Sequence, residues 1–534
     1  MKHFKDPIYG YISIEDDVID CIIDTAEFQR LRFIIQTSYS PLYSSAVHNR
    51  FVHSLGVFYL GKIASKAFYK YAEDFSITNY NKMIKLFEYA CLLHDVGHAP
   101  FSHTGEDFYL GVNNSRTDLH NMLIELTNDN VLAKEIKSKG YAAAPHELMS
   151  AIIAIKQYNN LFDSDEEKSF FARCILGYEY FENVDTDKSF YNCMISMLNS
   201  SVIDVDKLDY LIRDAYIIGF DTVSIDYKRL LHSIVIAKEN NQCKLIYKKS
   251  ALSVIENVVF AHDAERKWIQ NHPVILYDGY LLKYGLEKLN LMYKNKLFSI
   301  DALGTSGIEI GYCYRIALLS DGDIIYLMKN LRNSRLIKEY FSRKDRKHPL
   351  WKSESEYKAL FNLGFGSKTY EYVENSIIEK LLNTLNYLSC GNEINERTLD
   401  LIKKDIDRFR SMLGNEPVEK IDERLKPKKI ILEVVECFQQ FAAEEGIDFD
   451  FTILKANQFN SGFSKLPFEN IQIEFSSIGK IANFKKVTNA LSANKSEREK
   501  FYYVFYRRNS ETKKINMLNL ASKLGTLAIK KCFQ

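Results

Sequence analysis

Five of the twelve histidines fall between residues 48 and 103: His48, His53, His94, His98 and His103. His53 sits in HNRFVHSLGV, and His94 sits in CLLHDVGHAPFSH, followed directly by Asp95. An adjacent His-Asp pair at a helix end offers one imidazole nitrogen and one carboxylate oxygen from consecutive residues. An earlier helix can add His53, and a later one a second carboxylate. The candidate is Asp206, in VIDVDKLDYLIRD (202–214), where Asp206, Tyr210 and Asp214 recur every four residues and so share one helix face. An Asp-Tyr-Asp stripe makes a poor core and a good site wall. Two histidines and two carboxylates hold a divalent ion while leaving coordination positions open for water and a phosphate oxygen. A lone His-Asp dipeptide would mean little; the argument rests on the set His53, His94, Asp95 and Asp206 in these flanks.

The elements that position this set read as helices. Phe28, Leu31, Ile34 and Ile35, then Val57, Leu60, Ile63 and Phe68, follow helical spacing. KLFEYACLLHDVGH reads as a buried helix ending near Gly97, with Pro100 marking a turn. Strand-like alternation is rare early in the chain. CKLIYKK (243–249) reads as a hairpin strand, FDFTIL and IQIEF alternate like strands, and IILEVVECFQQFAAEEG is a helix ending at Gly446. NEPVEKIDERLKPKK (415–429), charged and carrying two prolines, is the best linker candidate. The expected fold is mainly α, with a smaller α+β C-terminal lobe.

Composition narrows the function classes. The chain has 534 residues, 46% hydrophobic and 26% charged, an ordinary globular balance. Its formal charge is +1, too low for a protein living mainly by coating nucleic acid. The exception is the end: residues 480–534 carry 13 Lys and Arg against three Glu, a solvated face or a phosphate-facing surface. No apolar run is long enough for a membrane span, and MKHFKDPIYGYISIEDD lacks the features of a secretory signal. Nine scattered cysteines without a CxxC pair argue against a disulfide framework or zinc knuckle and fit a reducing cytoplasm.

The H…HD…D pattern resembles the HD phosphohydrolase superfamily. FQRLRFIIQ, HNRFVHSLGV, HDVGHAPFSH and IDVDKLDYLIRDAYIIG are similar to segments of the SAM-and-HD-domain deoxynucleoside triphosphate triphosphohydrolases. The resemblance covers roughly residues 2–275 and the HD part alone, with no SAM domain expected ahead of Met1. It implies an HD helical domain over 1–300, a helical extension over 301–415 completing the catalytic core, and an α+β lobe with the basic tail over 430–534. It implies metal ligands at His53, His94, Asp95 and Asp206; the ion, Mn²⁺, Fe²⁺, Zn²⁺ or Mg²⁺, is not readable, and a second Mg²⁺ is expected with the triphosphate. Arg50 and Lys207 match phosphate-contacting residues, Tyr210 and Asp214 pocket residues on the sugar side, and Gln36 a contact to the 3′-hydroxyl. His98, His103 and His146 match active-site histidines; an imidazole suits protonation of the departing 5′-oxygen, with His103 the first choice and His146 the second. The implied reaction converts dNTP and water to deoxynucleoside and triphosphate.

The chain departs from the family where an arginine and a tyrosine are expected ahead of His272: those positions hold His262 and Gln270, with Arg266 one helical turn on from His262. This bears on the grip on the γ-phosphate and on discrimination against a ribose 2′-hydroxyl. Asp24, Gln29 and Arg32 match a guanine-reading triad of an activator site, and Lys2 lies near a matching lysine. A carboxylate accepting from guanine N1–H and N2–H₂, with Gln and Arg donating to O6, suits a GTP- or dGTP-type activator. That site implies coupling to a homotetramer or dimer. Asp226 and Arg229 are weak candidates for its second half. Two rival readings are an HD-type phosphodiesterase or single-strand nuclease, which the basic tail favours slightly, and a non-catalytic nucleotide-sensing oligomeric module.

Overall fold

The computed structural model describes residues 1–110, 116–138, 140, 143–200, 203–221, 223–310, 314–331, 334–365, 373–413, 417–456, 471–488, 501–508 and 515–532. The fold is mainly helical, and the chain divides into two compact units. The first comprises Met1–Ile269, Gly279–Ile337 and a later segment including the strands Gln472–Phe475 and Lys480–Asn483.

Its framework is a set of packed helices: α1 (Arg50–Phe75), α2 (Tyr80–Leu93), the short α3 (His103–Glu106), α4 (Pro145–Gln157), α5 (Asp165–Leu176), α6 (Thr186–Leu198), α7 (Val205–Ile218), α8 (Leu252–Ala264) and α9 (Asp321–Lys329). Helix α1 packs against both α2 and α7. Asn49 caps its start by accepting the Val52 N–H at 3.2 Å, and its interior positions Leu55, Val57, Phe58, Leu60, Ala64 and Phe68 are all buried. Such a cap contributes about 1 kcal/mol, against about 1.5–3 kcal/mol for each large apolar side chain buried, so packing dominates. Gly56 permits a close crossing: a Cβ there would stand 1.9 Å from Asp209 Oδ1 and 2.5 Å from Arg213 Nη2 on α7. Helix α7 begins with Asp204 accepting the Lys207 N–H and ends at Gly219, whose φ of 66° is the left-handed conformation that glycine adopts freely.

Two findings differ from the sequence reading. Helix α2 stops at Leu93 rather than near Gly97, so His94 and Asp95 sit in the turn that follows. And residues 2–14 form a hairpin, β1 (Lys2–Asp6) with β2 (Gly10–Ile14), in register Lys2↔Ile14. The signal was in the turn chemistry: Asp6 Oδ1 accepts the N–H groups of Ile8 and Tyr9, and Gly10 supplies a φ of 82°. As expected, a strand covers 243–248: β3 (Ile234–Glu239) and β4 (Gln242–Lys248) pair antiparallel, β5 (Gln472–Phe475) joins β4 in parallel, and β6 (Lys480–Asn483) pairs with β5, giving the order β6-β5-β4-β3.

The second unit comprises Gln270–Asp278, Lys338–Phe459 and Ser496–Gln534. It holds a four-stranded sheet made from His348–Pro349, Tyr502–Tyr506, Asp450–Lys455 and Glu393–Asn395, in that order. Helices α10 (Glu396–Leu413) and α11 (Val418–Glu445) pack together. The stretch 415–429, read as a linker, is therefore corrected: from Val418 it is helix, with Pro427 inside. An interior proline costs about 3 kcal/mol, but Leu425, Ile431, Val434, Val435 and Phe438 of the same helix are buried, which outweighs it. Gly446, at φ 64°, ends that helix as expected. In the basic tail, Lys495, Arg498, Lys500, Lys513 and Lys514 lie outside the described residues, and Arg507 pairs with Glu339 and Asp450. Among the described residues no helix is long and apolar enough to cross a membrane.

Candidate metal centre

The four residues singled out by spacing converge. His53 comes from the first turn of α1, His94 and Asp95 from the turn after α2, and Asp206 from the first turn of α7. His53 Nε2 lies 3.0 Å from Asp206 Oδ1, 3.3 Å from His94 Nε2 and 3.5 Å from Asp95 Oδ2. His94 Nε2 lies 3.4 Å from Asp95 Oδ1 and 3.6 Å from Asp206 Oδ1. Atoms bound at about 2.1 Å to one ion stand roughly 3.0–3.4 Å apart, so this spacing fits a shared divalent cation. The opposite edge of each ring is anchored: His53 Nδ1 to Asp209 Oδ2 at 2.7 Å, and His94 Nδ1 to the Cys91 carbonyl at 2.9 Å. Nδ1 anchoring of this kind aims Nε2 at a metal and fixes the ring. His53 is wholly buried, which disfavours its charged form, yet Asp206 and Asp209 hold its imidazole up at about 10. Asp95, despite burial, stays well below the usual carboxylate range because Arg50, His94 and His98 surround it. A pocket whose carboxylates remain charged in the interior is one that calls for a cation.

Supporting residues fix this geometry. Asp209, which lies in the stretch 202–214 but was given no role from the sequence, bonds Arg213 through both oxygens at 2.9 Å and takes the Tyr9 hydroxyl at 2.7 Å. Arg213 in turn reaches Asp6 Oδ2 at 2.9 Å, tying the N-terminal hairpin to the back of the site. The signal for Asp209 was its place three residues after Asp206. Arg50 is buried, its Nη1 donating to Asp95 Oδ2 at 2.7 Å and its Nε to Ser102 Oγ at 2.9 Å.

A second cluster lies beside the first. Glu106, also missed, is surrounded by three imidazoles: Oε2 bonds His146 Nδ1 at 2.8 Å, while Oε1 lies within ion-pair distance of His103 Nδ1 at 2.8 Å and of His98 Nδ1 at 3.2 Å. His98 and His146 stack at 4.3 Å, and His98 Nε2 lies 3.1 Å from Asp95 Oδ1. His98, Glu106 and His146 thus also form a set able to chelate a divalent ion. Glu106 sits one helical turn from His103, which was its signal in the sequence. Burial lowers His146, but Glu106 outweighs it and raises the imidazole to about 9; burial and Arg50 push His98 down to about 4. At neutral pH the pair therefore holds one charged and one neutral ring. The turn ahead of His103 is strained: Phe101 and Ser102 have φ of 60° and 52°, costing on the order of 1–3 kcal/mol each.

The remaining sequence candidates are placed as follows. Gln36 is buried, with Oε1 lacking a hydrogen-bond partner, and its carbonyl faces Arg50 Nη2 at 3.4 Å. Asp214 is buried and bonds His48 Nε2 at 2.7 Å. Lys207 Nζ is held by Asp204 Oδ2 at 2.5 Å and the Ser200 carbonyl at 2.7 Å. Burial raises the Tyr210 hydroxyl well above its ordinary value, with Glu265 adding to this and Arg266 opposing it. His262 is near the end of α8, 3.7 Å from Asp263, while Gln270 falls in the second unit. Lys2 pairs with Asp24 at 3.6 Å, Arg32 donates to Gln29 Oε1 at 2.8 Å, and Asp24 bears electrostatically on Arg32, so these four form one cluster. Asp226 is engaged as a helix cap, accepting the Arg229 N–H.

The centre offers a donor set able to hold a divalent cation. Residues 50–174 match the HD domain family. The chain is similar to the deoxynucleoside triphosphate triphosphohydrolase SAMHD1 of Xenopus laevis, 32% identical over 239 residues, 43% of this chain and 36% of that protein. The same enzyme of Gallus gallus is 33% identical over 251 residues, 45% and 38% of the two chains. The uncharacterized protein YwfO of Bacillus subtilis is 27% identical over 282 residues, 51% and 52%. The matched segment thus spans only about a third to a half of these relatives. A solved structure of a hypothetical protein from Aquifex aeolicus shares the fold over 98% of this chain and 99% of its own, with a TM-score of 0.53 and 18% identity.

Proposed function

We propose that the protein is a metal-dependent deoxynucleoside triphosphate triphosphohydrolase, releasing deoxynucleoside and inorganic triphosphate. The observation that carries this reading is the convergence of His53, His94, Asp95 and Asp206 beside a separate cluster of three histidines on one glutamate. A divalent ion in such a centre supplies Lewis-acid polarisation of phosphate and activation of water. The chain's own residues supply the rest. Arg50 and Asp209 hold the ligands in place. His146 and His103, each with Nδ1 turned to Glu106, keep Nε2 available to protonate the departing 5′-oxygen. The charge that Glu106 sustains on His146 suits it to give a proton at neutral pH, while His98, held neutral, serves the packing of the pair. Gln36, Tyr210, Asp214, His262 and Arg266 are assigned to the substrate, and Lys207 to the polyphosphate.

The reading extends to regulation. Lys2, Asp24, Gln29 and Arg32 form the recognition cluster for a GTP- or dGTP-type activator, acting through a homotetramer or dimer in the cytoplasm. The biological role would be control of dNTP pools or antiviral defence. The test is to incubate the metal-loaded protein with each dNTP and NTP, singly and mixed, and to identify the products. Triphosphate release supports the reading. Cleavage of oligonucleotides or cyclic nucleotides with no triphosphate release replaces it with the phosphodiesterase or nuclease alternative, and binding without turnover replaces it with the sensing module.

A further inference from the structure

Phe101 and Ser102, the strained pair ahead of His103, are held from far along the chain. Asp321, the first residue of α9, accepts the Phe101 N–H through Oδ1 at 2.7 Å and the Ile35 N–H through Oδ2 at 2.9 Å. The Ile35 carbonyl in turn takes the Ser102 hydroxyl at 2.5 Å. Arg30 closes the frame, its Nε on the Leu319 carbonyl at 2.7 Å and its Nη2 on the His98 carbonyl at 2.6 Å. Residues 319–321 thereby grip both walls of the centre: the His98–His103 turn, and the Ile35–Gln36 segment whose carbonyl meets Arg50.

We propose that Asp321 is a positioning residue of the metal centre, its carboxylate tying the turn that aims His103 and the segment that carries Gln36 to one rigid helix start. This rests on the hydrolytic reading of the centre. Left-handed backbone at residues bearing a Cβ persists only where the surroundings hold it, and an ionised carboxylate is the strongest acceptor available to two backbone amides. Arg30 and Arg50 face the carboxylate, and Asp323 and Tyr109 face Arg30. Burial raises the Asp321 carboxyl to about 6 against the pull of those two amides and two arginines. As pH falls through about 6 the group takes up a proton, both bonds weaken, and turnover drops.

The test compares wild type with Asp321→Asn and Asp321→Glu as metal-loaded full chains. In Asp321→Asn, kcat is expected to fall at least ten-fold with metal content within two-fold, and the acidic limb near pH 6 to vanish. Asp321→Glu should restore that limb. Hydrogen exchange at neutral pH gives a readout free of activity: the Ile35 and Phe101 amides should lose protection at least ten-fold in Asp321→Asn, while α1 and α7 keep theirs. Unchanged protection of both amides, or wild-type kcat with an intact acidic limb, overturns the proposal. If the wild type hydrolyses no nucleotide, the functional reading fails, and amide protection alone then decides whether Asp321 is the clamp.

Discussion

The metal centre and the Lys2–Asp24–Gln29–Arg32 cluster each gather four residues that the sequence singled out, yet they are built differently. At the centre His53, His94 and Asp95 are buried, and the far edge of each ring is tied to a partner. At the surface cluster, Lys2 and Asp24 are half exposed and pair loosely at 3.6 Å. Ion pairs of the second kind contribute about 0–1 kcal/mol, whereas breaking a buried pair costs about 3–5 kcal/mol. The first arrangement is finished before any ligand arrives; in the second, under the proposed reading, a ligand or a second subunit would supply most of the energy.

The contrast can be broken by substitution. The largest effect belongs to His94→Ala or Asp206→Ala, which should remove bound metal and lower turnover about 1,000-fold or more, measured by metal analysis and product assay. Metal content unchanged in both variants would dissolve the centre. Asp209→Asn should weaken metal affinity about 10–100-fold by freeing the His53 ring, and also destabilise the fold by several kcal/mol; metal titration and denaturant unfolding separate the two. Glu106→Gln should lower kcat about 100-fold and shift its pH profile. His146, raised to about 9, is protonated below that pH and loses its proton above it, so wild-type kcat should decline as pH rises through about 9. Without the glutamate charge that decline moves to lower pH. Smallest is Arg32→Ala: activation by GTP or dGTP should be lost, with metal content unchanged and stability within about 0.5 kcal/mol. An unaltered activation curve would reduce the surface cluster to solvated side chains.

The candidate ligands were legible because metal chemistry restricts residue type, and histidine is scarce here, twelve in the chain, so His53 and an adjacent His94-Asp95 in these flanks leave few alternatives. The residues that steady them were harder to find. Asp209 and Glu106 are acidic residues among 69 Asp and Glu, and their sequence nearness to Asp206 and His103 gains meaning only from the crossing of α1 on α7 and from the three imidazoles around one carboxylate. Asp321 lies 220 residues from the amide it holds, a distance no local pattern bridges. Among the secondary elements, periodic helices and alternating strands were readable. The stretch 415–429 was not, because its two prolines and many charges masked the buried stripe continued by Leu425 and Ile431. The helix end at Leu93 was also misjudged, since apolar periodicity runs on past the point where the backbone turns.

Gly56 has no side chain to bind or donate with, yet a methyl group in its place would overlap the carboxylate that steadies His53. In a saturation survey this position should tolerate substitution as poorly as the ligands themselves. Its intolerance would report the thickness of one helix–helix crossing, and an alanine there would be felt as lost cation affinity before it was felt as lost fold.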